Sequence, residues 1–443
     1  MQKTKNVFQE DLDLSVFPPT SWAKWKDILA REGREIPSWF YDPSLPLEAY
    51  YHIDNSCLGN LLSVQDYYST PTAAYSFQDQ IYLPSWVSWD ELSPSLFMDS
   101  GLCLDVEVWE DLRTSSVKRN RLREILEGIS HRNRFSLSFR GRVDSSSAQD
   151  FRDAIPLVGG GSYIWSPDIL AFLSLAEREG CRDLCIDLSD LHHMGASPHQ
   201  DLAWAVKKLS WVLSQARHME EIRSFLRRLF VVFPLGRDFF HGIAKLRAFR
   251  QLSFKVLGAY GIKGTIPIMT IPSMKTQSAR DVQTNILRGT QAAMVSVLGR
   301  ADIGIGLPFD IKREDANISF SARILAQLHP LLRHEARVNI FKEDPVPGSY
   351  FLESLIMSLA KKGWESFQDM EKEKSIERAE EKLKKGVRAH PIPGISMVGV
   401  DEFISPHEPP ISLKKEVSTQ SYLGSPCDLR RKEELLQRKH EAS

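Results

Sequence analysis

The spacing of apolar positions changes character twice along the chain. Between about residues 100 and 370, short apolar runs alternate with stretches whose apolar positions recur every three or four residues. The runs predict strands at Leu102–Val108, across Phe135, Leu137 and Phe139, and at Leu184–Leu188, Leu229–Phe233, Ile266–Ile271, Asp302–Leu307 and Val338–Phe341. The intervening stretches predict helices. A basic helix is expected near Val117–Ser130. Another starts at Ser197-Pro-His-Gln200, where Ser197 can cap, Pro198 suits the first turn and Gln200 can reach back. Its apolar stripe is Leu202, Val206, Leu209, Leu213 and Ala216. A third is opened by Asp238 and closed at Tyr260 by Gly261. About seven strand-then-helix steps, without Asn-Gly or Asp-Gly hairpin turns, predict an α/β fold, a closed (β/α)8 TIM barrel rather than an open sheet.

Outside this rhythm the pattern is lost. Residues 1–95 are irregular and rich in Trp, Tyr and Pro, with one amphipathic helix expected from Trp22 to Arg34. They read as an arm that packs on a partner or on this chain's own barrel. Residues 96–370 are assigned to the barrel and 371–443 to a charged helix, Glu371–Lys385, followed by a mobile tail. The densest patterning lies in Thr276–Gly363, which reads as two consecutive β/α units.

Composition narrows the function. The chain has 443 residues, 42% of them hydrophobic, with 56 basic against 57 acidic side chains. That balance gives no reason to expect nucleic acid or an anionic membrane as a partner. No signal-peptide run and no span of about twenty apolar residues occurs, so a cytoplasmic protein is expected. The five cysteines, Cys57, Cys103, Cys181, Cys185 and Cys427, are scattered and odd in number, which predicts free thiols. Gly159-Gly-Gly161 lacks both phosphate-loop and dinucleotide spacing and reads as a loop.

Several motifs occur in the order found in one family. They are Gly195-Ala-Ser-Pro-His-Gln-Asp-Leu-Ala-Trp204, Phe239-Phe-His-Gly-Ile-Ala-Lys-Leu-Arg-Ala248 and Ala259-Tyr-Gly261. Next come Asn285-Ile-Leu-Arg-Gly-Thr-Gln-Ala-Ala293, Leu307-Pro-Phe-Asp310, Asp344-Pro-Val-Pro-Gly-Ser-Tyr-Phe-Leu-Glu-Ser-Leu355 and Val398-Gly-Val-Asp-Glu-Phe403. Together they resemble the adenosylcobalamin-dependent acyl-CoA mutases, most nearly the small (beta) subunit type of the methylmalonyl-CoA mutase family. The resemblance implies a barrel that, in active members, admits acyl-CoA along its axis, with a C-terminal cobalamin domain at its mouth. The reaction it implies interconverts methylmalonyl-CoA and succinyl-CoA.

This chain departs from that pattern. Where active relatives carry a Tyr-His pair before the Gly-Ala segment, an ungapped match places Ser189 and Asp190; a small gap would bring His192 or His193 into register. An ionised Asp190 cannot donate to a thioester oxygen. Asp190-Leu-His-His-Met-Gly195 fits the short cobalt-loop pattern, but it directly ends a barrel strand, and the residues after Phe403 are too few for a cobalamin domain. No catalytic, cofactor-binding or metal-binding residue is therefore assigned, with His192 and His193 kept as candidates. Asn285, Arg288, Arg247, Arg250 and Asp310 are expected to be structural anchors. The expected function is a non-catalytic component pairing as a heterodimer with a large subunit that carries adenosylcobalamin, this chain binding none itself. The alternatives are an active mutase barrel served by a separate cobalamin domain, and a non-catalytic acyl-CoA-binding module.

Overall fold

The computed structural model describes residues 20–33, 183–215, 229–313, 315–338 and 344–389. It also describes the segments 38–39, 47–48, 78–83, 101–105, 137–140, 162–165, 397–399 and 402–403 and the single positions 51, 117, 120 and 124. Helix α1 (Trp22–Arg31) and the antiparallel pair β1 (Ser38–Trp39) and β2 (Leu47–Glu48) precede the barrel. Eight parallel strands follow: β3 (Gln78–Leu83), β4 (Gly101–Asp105), β5 (Leu137–Arg140), β6 (Ser162–Trp165), β7 (Asp183–Asp187), β8 (Leu229–Leu235), β9 (Ile268–Pro272) and β10 (Ile303–Gly306). Each pairs with the next, and β10 pairs back with β3, so the sheet closes into a barrel.

The described helices are α2 (Ser189–His193) and α3 (Pro198–Gln215) after β7, and α4 (Phe239–Ala259) after β8. A 3-10 turn (Met274–Thr276) and α5 (Thr284–Leu298) follow β9, and α6 (Ile318–His334) follows β10. Helix α7 (Tyr350–Glu371) lies over α3 and α4, and α8 (Ile376–Ala389) packs on α3 and α7.

Local chemistry sets these boundaries. Ser197 N donates to Gln200 Oε1 at 2.9 Å and Gln200 N to Ser197 Oγ at 3.4 Å, which is the reciprocal cap expected. Asp238 Oδ1 accepts from His241 N at 2.9 Å to start α4, and Gly261, at φ 69°, ends it. Alternation along the strands then sorts side chains to two faces. Ile81, Leu83, Ile186, Leu229, Val231, Phe233 and Ile268 face the helices. Tyr82, Cys103, Phe230, Val232, Met269, Ile271, Ile303 and Ile305 form a second cluster on the opposite, inner face of these strands.

The structure corrects several expectations. The barrel begins at Gln78, inside the stretch 1–95 assigned to the arm, because β3 supplies the strand that closes on β10. Gln80-Ile-Tyr-Leu83 is fully buried, a short apolar run masked in the sequence by the surrounding aromatic residues. Strand β6 was not anticipated either; the Gly159–Gly161 loop before it lies outside the described residues. Val338 is in a turn after α6 rather than a strand, and 339–343 are not described. The charged run Glu371–Lys385 is not one helix. It spans the end of α7, a break, and α8. Helix α8 is solvated on one face, with ion pairs Glu380–Lys384 and Glu381–Lys385, but Ala379, Leu383 and Val387 are buried on the other.

Close packing at the end of β10 gives a first prediction. A Cβ at Gly306 would stand 2.5 Å from Leu325 Cδ1 of α6 and 3.0 Å from its Cγ. Gly306→Ala is expected to destabilise the fold by about 1–3 kcal/mol, the usual range for overpacking, read as a lower urea midpoint at unchanged slope.

Candidate functional site at the barrel mouth

Strand β7 ends at Asp187, whose Oδ1 accepts from Ser189 N at 2.8 Å and so starts the single turn α2. This turn holds every site residue that the sequence singled out. Ser189 is buried, Asp190 is exposed, His193 is buried and the His192 side chain is 16% exposed. Gly195, at φ 99°, then reverses the chain into the Ser197 cap. The residues Ser189 and Asp190 of the ungapped match therefore do not act together, since one faces the core and the other solvent.

His192 is the member of the set with a built environment. Its Nδ1 lies 3.2 Å from Asp201 Oδ2, on the first turn of α3. The same oxygen accepts from Lys245 Nζ of α4 at 2.9 Å, and Lys245 also donates to Pro234 O of β8 at 2.9 Å. Asp201 and Lys245 are 1% and 4% exposed. Burial holds the His192 imidazole below its ordinary pKa, outweighing the opposing pull of Asp201. For Asp201 burial works toward the neutral form, but Lys245 and His192 prevail and keep its pKa below the usual carboxylate value. Neither Asp201 nor Lys245 was singled out from sequence. The available signal was a charged residue inside an otherwise apolar helical face, as Lys245 stands among Ile243, Ala244 and Leu246.

The expected anchors are anchors. Asn285 Nδ2 donates to Ser278 O and to Phe309 O at 2.7 Å each, tying the loop before α5 to the Leu307–Asp310 turn. Arg288 Nη2 donates to Val398 O at 2.6 Å and Arg250 pairs with Asp302. Asp310 Oδ2 accepts from Asn317 N at 2.8 Å. Arg247, 0% exposed, donates through Nη2 to Asp344 Oδ1 at 2.7 Å and through Nε to Leu298 O at 2.9 Å. The Asp344–Leu355 motif is thus a brace between α4, the end of α5 and the start of α7.

Glu353, in the first turn of α7, is buried beside this brace, and burial raises its pKa. A raised carboxyl pKa makes a stability contribution that is present below the ordinary glutamate value and lost as pH rises through the raised one. Glu353→Gln is expected to flatten that fall, so that the variant gains melting temperature relative to the parent as pH rises from the acid range to neutrality. A parallel pH dependence for both proteins would contradict the assignment.

The lumen bears on what the barrel can admit. Phe230, Val232, Met269, Ile271, Ile303, Ile305 and Tyr82 are each 8% exposed or less, and Met274, Leu307 and Ile311 belong to the same cluster. These side chains are large and apolar, and they cover the inner face of the adjacent strands β8, β9, β10 and β3. The cobalt-loop pattern Asp190–Gly195 covers most of α2 and the reversal after it. It is a helical turn at the mouth of the barrel that leads directly into the cap of α3. Among the described residues no corrinoid cradle stands beside it. No group of three metal-binding side chains occurs among the described residues, and Cys103 is buried. Among the described residues no helix is long and apolar enough to cross a membrane.

Comparison with known proteins agrees with the motifs. The chain is 29% identical over 204 residues to the methylmalonyl-CoA mutase small subunit of Porphyromonas gingivalis, covering 44% of this chain and 32% of that protein. It is 30% identical over 205 residues to the small subunit from Propionibacterium freudenreichii subsp. shermanii, covering 43% and 30%. To the large subunit of the latter organism it is 28% identical over 216 residues, covering 44% and 28%. The chain spans about a third of the length of the curated relatives it matches. A family model described as methylmalonyl-CoA mutase matches residues 167–389, from the approach to β7 through α8, and the chain belongs to that family.

Proposed function

We propose that the chain is a small-subunit-type component of a cytoplasmic methylmalonyl-CoA mutase. It is itself non-catalytic and supports a large subunit that carries adenosylcobalamin and interconverts methylmalonyl-CoA and succinyl-CoA. The observation that carries this reading is the buried, apolar inner face of β3, β8, β9 and β10. The burial of Phe230, Met269, Ile271, Ile303, Ile305 and Tyr82 leaves no solvent-open channel beside these strands, which speaks against passage of an acyl-CoA arm. The exposed Asp190 and the absence of a corrinoid cradle among the described residues support the same conclusion. The arm is the proposed contact with the large subunit. In α1 the Trp22 and Trp25 rings stack at 5.0 Å and no residue of the helix is buried, an amphipathic surface with aromatic character suited to an interface.

The test is co-expression with a mutase large subunit from the same cell. Co-elution, with isomerisation only when the large subunit is present, is the expected result. Failure to co-elute with any mutase chain would sink the proposal. So would turnover by this chain with a free cobalamin domain.

A further inference from the structure

We propose that Asp201 and Lys245 lock His192 in its Nδ1–H form, so that Nε2 stands at the barrel mouth as a hydrogen-bond acceptor and the site takes a ligand presenting an N–H or O–H donor, not a thioester carbonyl or a carboxylate. The inference concerns this chain alone and stands whether or not a large subunit binds.

The argument starts from Asp201 Oδ2, which accepts from Lys245 Nζ at 2.9 Å and faces His192 Nδ1 at 3.2 Å. A carboxylate buried beside an ammonium is an acceptor only. A bare Nδ1 lone pair set against that anionic oxygen would be repelled, so Nδ1 carries the proton. Lys245 already matches the charge of Asp201, and Lys275 adds a further positive field at the ring. An imidazolium would be a surplus cation in a nearly dry place, so the ring is neutral and Nε2 is bare.

Two acceptors are then left short of donors. No described residue donates to Nε2, and the His192 side chain keeps 16% of its surface open. Asp201 Oδ1 is buried and also receives no donor among the described residues. Asp201 Oδ1 is sealed from a ligand, whereas Nε2 on the partly open ring can accept from a ligand amide, amine or hydroxyl. A thioester oxygen would instead meet the Nε2 lone pair. The placement of His192 after a barrel strand therefore does not restore the electrophilic role of the active relatives' histidine, whichever register is chosen.

Imidazole nitrogen spectra of the full chain, labelled with nitrogen-15, test this at neutral pH, with His192→Gln identifying the signals. The expected result is a single Nδ1–H form for His192; an Nε2–H form or a doubly protonated ring would overturn the proposal. Lys245→Met removes the cation that matches Asp201, and His192 is expected to take up a second proton in its place. An unchanged Nδ1–H ring in that variant would refute the charge argument, and if the variant does not fold the parent spectrum decides by itself. Acetamide, a small N–H donor, is expected to shift the Nε2 signal of the parent, and S-methyl thioacetate to leave it in place. The reverse order, or no response to acetamide, would show that Nε2 is not a presented acceptor. A merely structural histidine would not gain a proton when Lys245 is lost.

Discussion

Asp344→Ala is expected to destabilise the protein by about 3–5 kcal/mol, the range found when one partner of a buried ion pair is removed. Arg247 is 0% exposed, and its Nη2 bonds both Asp344 Oδ1 and Leu298 O. Without Asp344 the guanidinium keeps its carbonyl partner but loses its counter-charge in the interface between α4 and α7. The same carboxylate accepts from Val346 N at 3.1 Å, which shapes the turn that leads to Ser349. Ser349 caps α7 through Leu352 N at 3.4 Å, so the loss spreads to the start of that helix. Urea unfolding of the parent and the variant measures the effect. A midpoint shift no larger than that of Asp369→Ala, a solvent-exposed partner of Lys372, would show that the brace is unimportant.

Phe233→Ala is expected to cost about 3–5 kcal/mol, as for other buried Phe truncations. Phe233 lies on β8, is fully buried, and meets Phe249 of α4 edge-on at 5.0 Å between ring centroids. The Lys245 ammonium stands 5.7 Å from the same ring. The variant therefore opens a cavity between sheet and helix and loosens the group that fixes Asp201. Thermal unfolding checks the stability loss, and Phe233→Leu, which keeps most of the volume, should recover more than half of it.

The late half of the barrel was legible from the sequence because several local signals agreed there. The Ser197–Gln200 cap, Asp238, Gly261 and the runs at Leu229 and Ile266 each fixed an element boundary to within a few residues. The early half was less legible. Strand β3 offers only Gln-Asp-Gln-Ile-Tyr-Leu, a short run whose assignment depends on pairing with a strand more than two hundred residues away. The candidate site divided in the same way. His192 and His193 stood out by residue type. The partners of His192 were not evident because Asp201 lies past a chain reversal on α3 and Lys245 is 44 residues further on, the two meeting only through the packing of α3, α4 and β8. The apolar inner face of β8, β9, β10 and β3 was also hidden, since strand alternation gives two faces but does not say which one meets the axis.

Closure of β3 on β10 has a consequence for how the chain can be cut and how it folds. The pairing joins Gln78 to Ile303 and Ile81 to Gly306, so the last seam of the cylinder joins segments far apart along the polypeptide. Such non-local pairing forms late and slowly. Trimming the N-terminus as far as Trp22 removes nothing from the cylinder, but trimming past Leu83 leaves β4 and β10 as open edges, each a template for pairing with another chain. The aromatic arm and the first barrel strand thus lie on either side of a line between a segment the cylinder can lose and one whose loss opens its edges to other chains.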